Sequence, residues 1–275
     1  MNLSSYIDGL EKRAAEEIKA EQGDFILDGL LHCGKCGTPK QVRVKVFDKE
    51  RTPFCICKCE KEKRDREETE RTLREQIRRN RRICFPEEKM LSWTFENDDK
   101  ANPEISQAMK NYAENFDELC ERGKGLLLFG PTGTGKSYFA ASIANALLDK
   151  GYPVLMTNFV RIESALSKTW DKQSYYDSLN SYPLLIIDDF AAERKTDYMG
   201  EIVFNVIDSR DRAGLPLIVT TNLTGKEMQC VNEMQYKRAI SRLYEMTVPV
   251  KVEGADRRVE ILKTDFTPIK ELLGL

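Results

Sequence analysis

Apolar positions near the start of the chain recur at helical spacing. Leu3, Ile7, Leu10, Ala14 and Ile18 fall three or four residues apart, with Ser4 or Ser5 placed to cap, and predict an amphipathic helix over residues 3–19. The period then shortens. Residues 41–47, in which polar and apolar side chains alternate from Gln41 to Val46, predict one strand of a small hairpin that turns at residues 48–50. From residue 60 to 82 almost every position is charged, with Leu73 and Ile77 the clear apolar exceptions, so this stretch predicts a solvated linker helix. Acidic residues dominate its first half and arginines its second. Cys84, Phe85 and Pro86 break that helix and mark a domain boundary.

Past that break, short apolar runs are separated by helical stretches. Residues 125–129, 153–157, 183–189 and 215–222 read as strands, the third ending in two carboxylates and the fourth in polar side chains. Unbroken apolar runs of this kind are expected of parallel strands covered on both faces. Between them lie a helix opened by Pro103 and running to about residue 121, and another over 138–148 stopped by Gly151. A helical region containing Ile162, Ala165, Leu166 and Trp170 and an amphipathic helix over 198–212 follow. A basic helix over 236–243 and a strand over 248–252 complete the pattern.

The first of these runs leads into Gly130, Pro131, Thr132, Gly133, Thr134, Gly135, Lys136 and Ser137, which fit the P-loop pattern GxxxxGK[ST] between strand and helix. The three glycines let the backbone curl so that its N–H groups point inward at a phosphate, and the helix start adds a favourable partial charge. Lys136 is expected to reach the β- and γ-phosphates, and the Ser137 hydroxyl to bind Mg²⁺. A connecting turn would need neither Lys nor Ser after its third glycine. Asp188 and Asp189 then read as the carboxylates of a Walker B strand, Asp188 holding Mg²⁺ directly or through water and Asp189 orienting the attacking water as base. In a P-loop ATPase of the additional-strand type, the polar residue ending the next strand lies between those carboxylates and the γ-phosphate. Asn222 takes that sensor position. Arg238 and Arg242 are spaced i, i+4 on one helical face. In a ring or filament they would project into a neighbour's phosphate site.

A second chemistry lies upstream. Cys33 and Cys36 are spaced as a metal-binding knuckle, and Cys55, Cys57 and Cys59 follow beyond the predicted hairpin, describing a small zinc ribbon. Three cysteines compete for two places: Cys57 with Cys59, Cys55 with Cys59, or Cys55 with Cys57, the first pair being favoured. His32 flanks the site. A module this small buries little apolar surface, and structural Zn²⁺ supplies on the order of 10 kcal/mol or more of apparent binding free energy. The zinc is therefore expected to be structural.

Composition narrows the class. Lys+Arg 43 against Asp+Glu 45 leaves a formal charge of −2 in 275 residues, so any DNA contact must be local rather than a matter of bulk charge. The single histidine closes off a Ser-His-Asp triad in the P-loop part. No apolar run approaches the roughly 20 residues a membrane helix needs. The first eight residues carry neither a basic nor an apolar segment of a secretory signal, so a cytoplasmic protein with reduced cysteines is expected.

The P-loop, the Ile186-Ile187-Asp188-Asp189 strand end, Thr220-Thr221-Asn222 and the helix bearing Arg238 and Arg242 together resemble the DnaC/DnaI family of bacterial helicase loaders, an AAA+ clade that includes the IstB transposition helpers. The cysteine module ahead of a charged helix is similar to the zinc-bearing loaders of low-GC Gram-positive bacteria and their phages. The resemblance implies an AAA+ ATPase domain with a parallel five-stranded α/β sheet over residues 86–275, a partner-docking zinc module over 1–59 and a linker helix over 60–85. It implies ATP, Mg²⁺ and Zn²⁺ as cofactors, ATP hydrolysis, self-association into a ring or spiral, a DnaB-type replicative helicase as partner, single-stranded DNA as ligand and no membrane. It places Arg242 at the arginine-finger position with Arg238 beside it, Arg257 or Arg258 at the sensor 2 position, and Trp170, Thr196 and Tyr198 at the DNA contacts. An IstB-like ATPase serving a transposase on duplex DNA is one alternative, and an adaptor with a slow nucleotide switch is another.

Overall fold

The computed structural model describes residues 21–46, 49–193, 196–257 and 272–273. The helix expected over residues 3–19 lies outside them. The chain divides into two units, Met1–Glu75 and Gln76–Leu275.

The first unit is built from two antiparallel hairpins. Strands β1 (Phe25–Leu27) and β2 (Leu30–His32) pair around Asp28 and Gly29, both in the left-handed region. Asp-Gly between apolar runs is a strong two-residue hairpin signal. Strands β3 (Val44–Val46) and β4 (Lys49–Arg51) form the second hairpin, so Lys49 and Glu50 are paired strand residues rather than turn. Helix α1 (Lys58–Cys84) follows as one continuous element. Spaced i, i+4 along it, Arg64 pairs with Glu60, Arg71 with Glu75 and Arg74 with Glu70. Each such exposed pair contributes only tenths of a kcal/mol, about 0.3–0.5, but together they suit a helix with almost no apolar face.

The second unit is a five-stranded parallel sheet with helices on both faces. In chain order its elements are α2 (Pro103–Glu114), α3 (Phe116–Glu121), β5 (Gly125–Phe129), α4 (Lys136–Asp149), β6 (Val154–Thr157), α5 (Phe159–Leu166) and α6 (Lys172–Leu179). They continue with β7 (Leu184–Phe190), α7 (Asp197–Arg212), β8 (Leu217–Thr221), α8 (Gly225–Gln229), α9 (Met234–Met246) and β9 (Thr247–Lys251). The sheet order is β6-β7-β8-β5-β9, and every neighbouring pair is parallel. Strand β8 therefore lies between the strand that precedes the P-loop and the strand that ends in the two carboxylates.

The apolar runs are continuous because successive side chains enter two different cores. Leu127, Leu185, Ile187, Leu217 and Val219 pack with α5, α7 and α9, whereas Leu126, Leu128, Leu184, Ile186 and Ile218 pack with α2 and α4. A strand buried on both faces has no polar side to show. Arg210 on α7 is buried in this unit and donates to the carbonyls of Leu179, Tyr182, Pro183 and Pro216, tying the entries to β7 and β8. Helix α8 was not foreseen. Thr224 and Glu227 form its capping box, a Thr-x-x-Glu signature present in the sequence.

Candidate functional site: a phosphate loop beside a carboxylate bulge

Parallel pairing sets the C-terminal ends of the strands along one edge of the sheet, with Phe129, Thr221 and Lys251 in neighbouring register. The P-loop leaves β5 at that edge. Gly130 has φ 146°, and a Cβ there would run into the carbonyl oxygen of Val252. Gly133, at φ 81°, lies so close to the Asp256 carboxylate that a Cβ would collide with it. Lys136 is buried and donates to the carbonyl oxygens of Gly130 at 2.9 Å and Pro131 at 2.6 Å, folding its ammonium back over the loop. The Thr134 hydroxyl donates to the Pro131 carbonyl at 2.9 Å.

At the end of β7 the ladder to β8 shifts register between Ile187 and Phe190, and Asp189 takes the left-handed φ of 55°. A β-bulge of this kind re-aims side chains, and strained backbone gathers where a site needs it. Asp188 is partly buried while Asp189 is exposed. The Ser137 hydroxyl donates to Asp188 Oδ1 at 2.7 Å and the Thr220 hydroxyl to the same oxygen at 2.6 Å. Burial pushes the Asp188 carboxyl up from its ordinary value, and the Thr220 and Ser137 hydroxyls oppose that shift. The structure thus brings Ser137 and Asp188 together across β8. Hydroxyl and carboxylate oxygens are the hard donors Mg²⁺ takes, so these residues fit that ion.

Other predicted residues fall differently. Asn222 lies one residue past β8 with its side chain exposed, and the hydroxyl that reaches Asp188 belongs to Thr220. The strand itself ends at Thr221. Arg242 on α9 pairs with Asp208 at 2.8 Å and Asp211 at 2.6 Å on α7, and Arg238 is exposed one turn earlier. Arg257 donates its backbone N–H to the Gly133 carbonyl at 3.1 Å, and its guanidinium pairs with Asp99 at 3.1 Å. Arg258 lies outside the described residues.

Trp170 is not in a helix. It stands in the loop between α5 and α6, fully exposed. Thr196 caps α7, its hydroxyl accepting from the Met199 N–H at 3.1 Å. Tyr198 is partly exposed, with the Lys172 ammonium 5.1 Å from its ring centre. That contact brings the first turns of α6 and α7 together beside the loop carrying Trp170.

In the first unit, the Sγ atoms of Cys33, Cys36, Cys57 and Cys59 all lie within 4.8 Å of one another. Cys33 and Cys59 are 3.6 Å apart, and Cys57 and Cys59 3.4 Å. Zn–S bonds of about 2.3 Å in a tetrahedron place sulfurs about 3.8 Å apart, so the four thiolates fit zinc. Cys55 points away and donates to the Pro39 carbonyl at 3.4 Å. His32 Nδ1 lies 3.0 Å from the Gly37 carbonyl, outside the cluster. The knuckle is braced by Asp24, which accepts from the Gly34 N–H at 2.9 Å and pairs with the buried Lys40 at 2.7 Å. Lys40 and the backbone N–H groups of Gly34 and Glu21 hold the Asp24 carboxyl well below the ordinary range.

A five-stranded parallel sheet of this order, with a P-loop and a carboxylate strand separated by one added strand, defines an AAA+ nucleotide-binding domain. The sequence profile described as IstB-like ATP binding protein matches residues 60–260, and the chain belongs to that family. It is 25% identical over 190 residues to the replicative helicase loader DnaI of Bacillus subtilis, a match taking in 63% of this chain and 61% of that protein. It is 33% identical over 113 residues to an insertion sequence ATP-binding protein of Sinorhizobium fredii, covering 40% of this chain and 38% of that one. A crystal structure of DnaI superposes with a TM-score of 0.54 at 24% identity, covering 66% of this chain and all of that one, a likeness of fold. Among the described residues, no helix is long and apolar enough to cross a membrane.

Proposed function

We propose that this protein is an ATP-dependent loader of a hexameric, DnaB-type replicative helicase. It binds ATP, associates with copies of itself in a ring or spiral, holds single-stranded DNA and hydrolyses ATP to release the helicase onto the strand. The observation that carries this reading is the 190-residue match to the loader DnaI in a chain that sets a four-thiolate cluster ahead of its P-loop. Residues 1–59 form the docking module, 60–85 the linker and 86–275 the ATPase domain.

The P-loop N–H groups and Lys136 take the phosphates, Lys136 giving up the Gly130 and Pro131 carbonyls for phosphate oxygens. Ser137 and Asp188 would hold Mg²⁺, whose charge offsets that of the phosphates. Asp189, exposed on its bulge, orients the attacking water. Asn222 together with Arg242 and Arg238 couples the phosphate end to the subunit boundary, and Arg257 or Arg258 contacts nucleotide. Cys33, Cys36, Cys57 and Cys59 hold a structural zinc. Trp170, Thr196 and Tyr198 line the DNA track, where an exposed ring stacks on a base without reading sequence.

The test is the native mass of the full chain mixed with the host replicative helicase, zinc, Mg²⁺ and ATP. A stable complex on the helicase hexamer supports the loader; absence of a complex in every nucleotide state overturns it. The family description and the 33% identity to an insertion sequence protein favour a second reading, an IstB-like ATPase on duplex DNA. Preference for duplex over single strands in a binding assay selects it.

A further inference from the structure

The bulge that carries both carboxylates is held from outside its own strand. Thr220 of β8 is completely buried. Its hydroxyl donates to Asp188 Oδ1 at 2.6 Å and accepts the backbone N–H of Asp189 at 3.0 Å. A hydroxyl has one proton, and accepting the Asp189 N–H leaves that proton to be aimed at the carboxylate. One residue on, the Thr221 hydroxyl donates to the Phe190 carbonyl at 2.9 Å, where the ladder resumes with Phe190 opposite Thr221. Two adjacent hydroxyls on β8 thus engage the Asp189 N–H, the Asp188 carboxylate and the Phe190 carbonyl where the register of β7 shifts. The left-handed Asp189 needs such support, because a non-glycine residue there persists only where its surroundings over-determine it. Threonine suits the task, since its branched side chain is stiff about χ1.

We propose that Thr220 is a positioning residue for the metal-binding face of the site. Its single hydroxyl fixes the carboxylate of Asp188 toward Ser137 and, through the Asp189 N–H, sets the direction of the neighbouring carboxylate. The inference rests on the P-loop binding Mg²⁺ with ATP as proposed above, and it adds Thr220 to the residues named there.

The experiment measures ATP affinity of the full chain with Mg²⁺ and with EDTA, in wild type, T220V and T220S, alongside steady-state turnover. T220V keeps the shape and removes both hydrogen bonds. It is expected to lose about 10- to 100-fold of the Mg²⁺ enhancement of binding, the range typical of groups that orient metal ligands, while affinity in EDTA stays near that of wild type. T220S restores the hydroxyl and the enhancement. If T220V does not fold, T220S and T220A are compared by the same ratio, and equal ratios overturn the proposal. A T220V protein with the wild-type ratio, or a T220S protein as impaired as T220V, also overturns it. Failure of the underlying reading looks different: Lys136→Ala would then bind ATP as wild type does.

Discussion

Arg242 of α9 is paired within the chain with Asp208 of α7, at 2.8 Å, and its second nitrogen reaches Asp211 at 2.6 Å. The pairs hold the guanidinium at the surface with about a third of the side chain exposed.

Removing that guanidinium is expected to abolish turnover in the assembled state. An arginine finger contributes on the order of 10³ to 10⁵ in rate, so Arg242→Ala should lose about that much while still binding ATP. Mixing it with Lys136→Ala should restore activity, because one subunit then offers an intact P-loop and the other an intact Arg242. Steady-state phosphate release in the mixture reads this, and a mixture as inactive as its parts would reduce Arg242 to a clamp between α7 and α9.

The cysteine geometry makes an unequal prediction for three neighbours. Cys55→Ser should keep one zinc per chain, because Cys55 donates to the Pro39 carbonyl outside the cluster. Cys57→Ser and Cys59→Ser should each lose it. Metal analysis of the purified variants decides the point. Stripping the metal from the wild-type chain should unfold the first unit, since zinc binding free energy in so small a module is folding free energy.

Trp170→Ala should leave the thermal midpoint where it is, because the side chain is fully exposed and packs into no core. The same change should weaken binding of single-stranded oligonucleotides by about 1–3 kcal/mol, the usual contribution of one aromatic stacked on a base. Anisotropy titration at fixed salt measures it, and unchanged affinity would remove Trp170 from the DNA track.

Arg210 makes the opposite case, a charge wholly inside. Burial lowers its pKa to about 10, and its guanidinium serves four backbone carbonyls at once. Arg210→Met would leave those carbonyls without donors, at a cost of about 3 kcal/mol or more in unfolding free energy. Arg210→Lys should recover little of it, since an ammonium cannot reproduce the planar fork. Denaturant titration of the full chain reads both.

Local pattern by itself determined the class of this protein. Glycine spacing in 130–137, the unbroken apolar strands, the charged helix and the CxxC knuckle each depend on residues a few positions apart, and short-range sterics and periodicity suffice to read them. The Asp28-Gly29 hairpin and the Thr224–Glu227 cap belong to the same local grammar. Tertiary structure decided what depends on register between distant strands. Only the order β7-β8-β5 brings Thr220 against Asp188 and lets Ser137 reach it, and only where β8 stops tells Thr220 apart from Asn222. The same holds for the choice among Cys55, Cys57 and Cys59, for the exposure of Trp170 and for the carboxylates that receive Arg242. Apart from the exposure of Trp170, each is a contact between segments well separated along the chain, set by packing rather than by the preference of any one stretch.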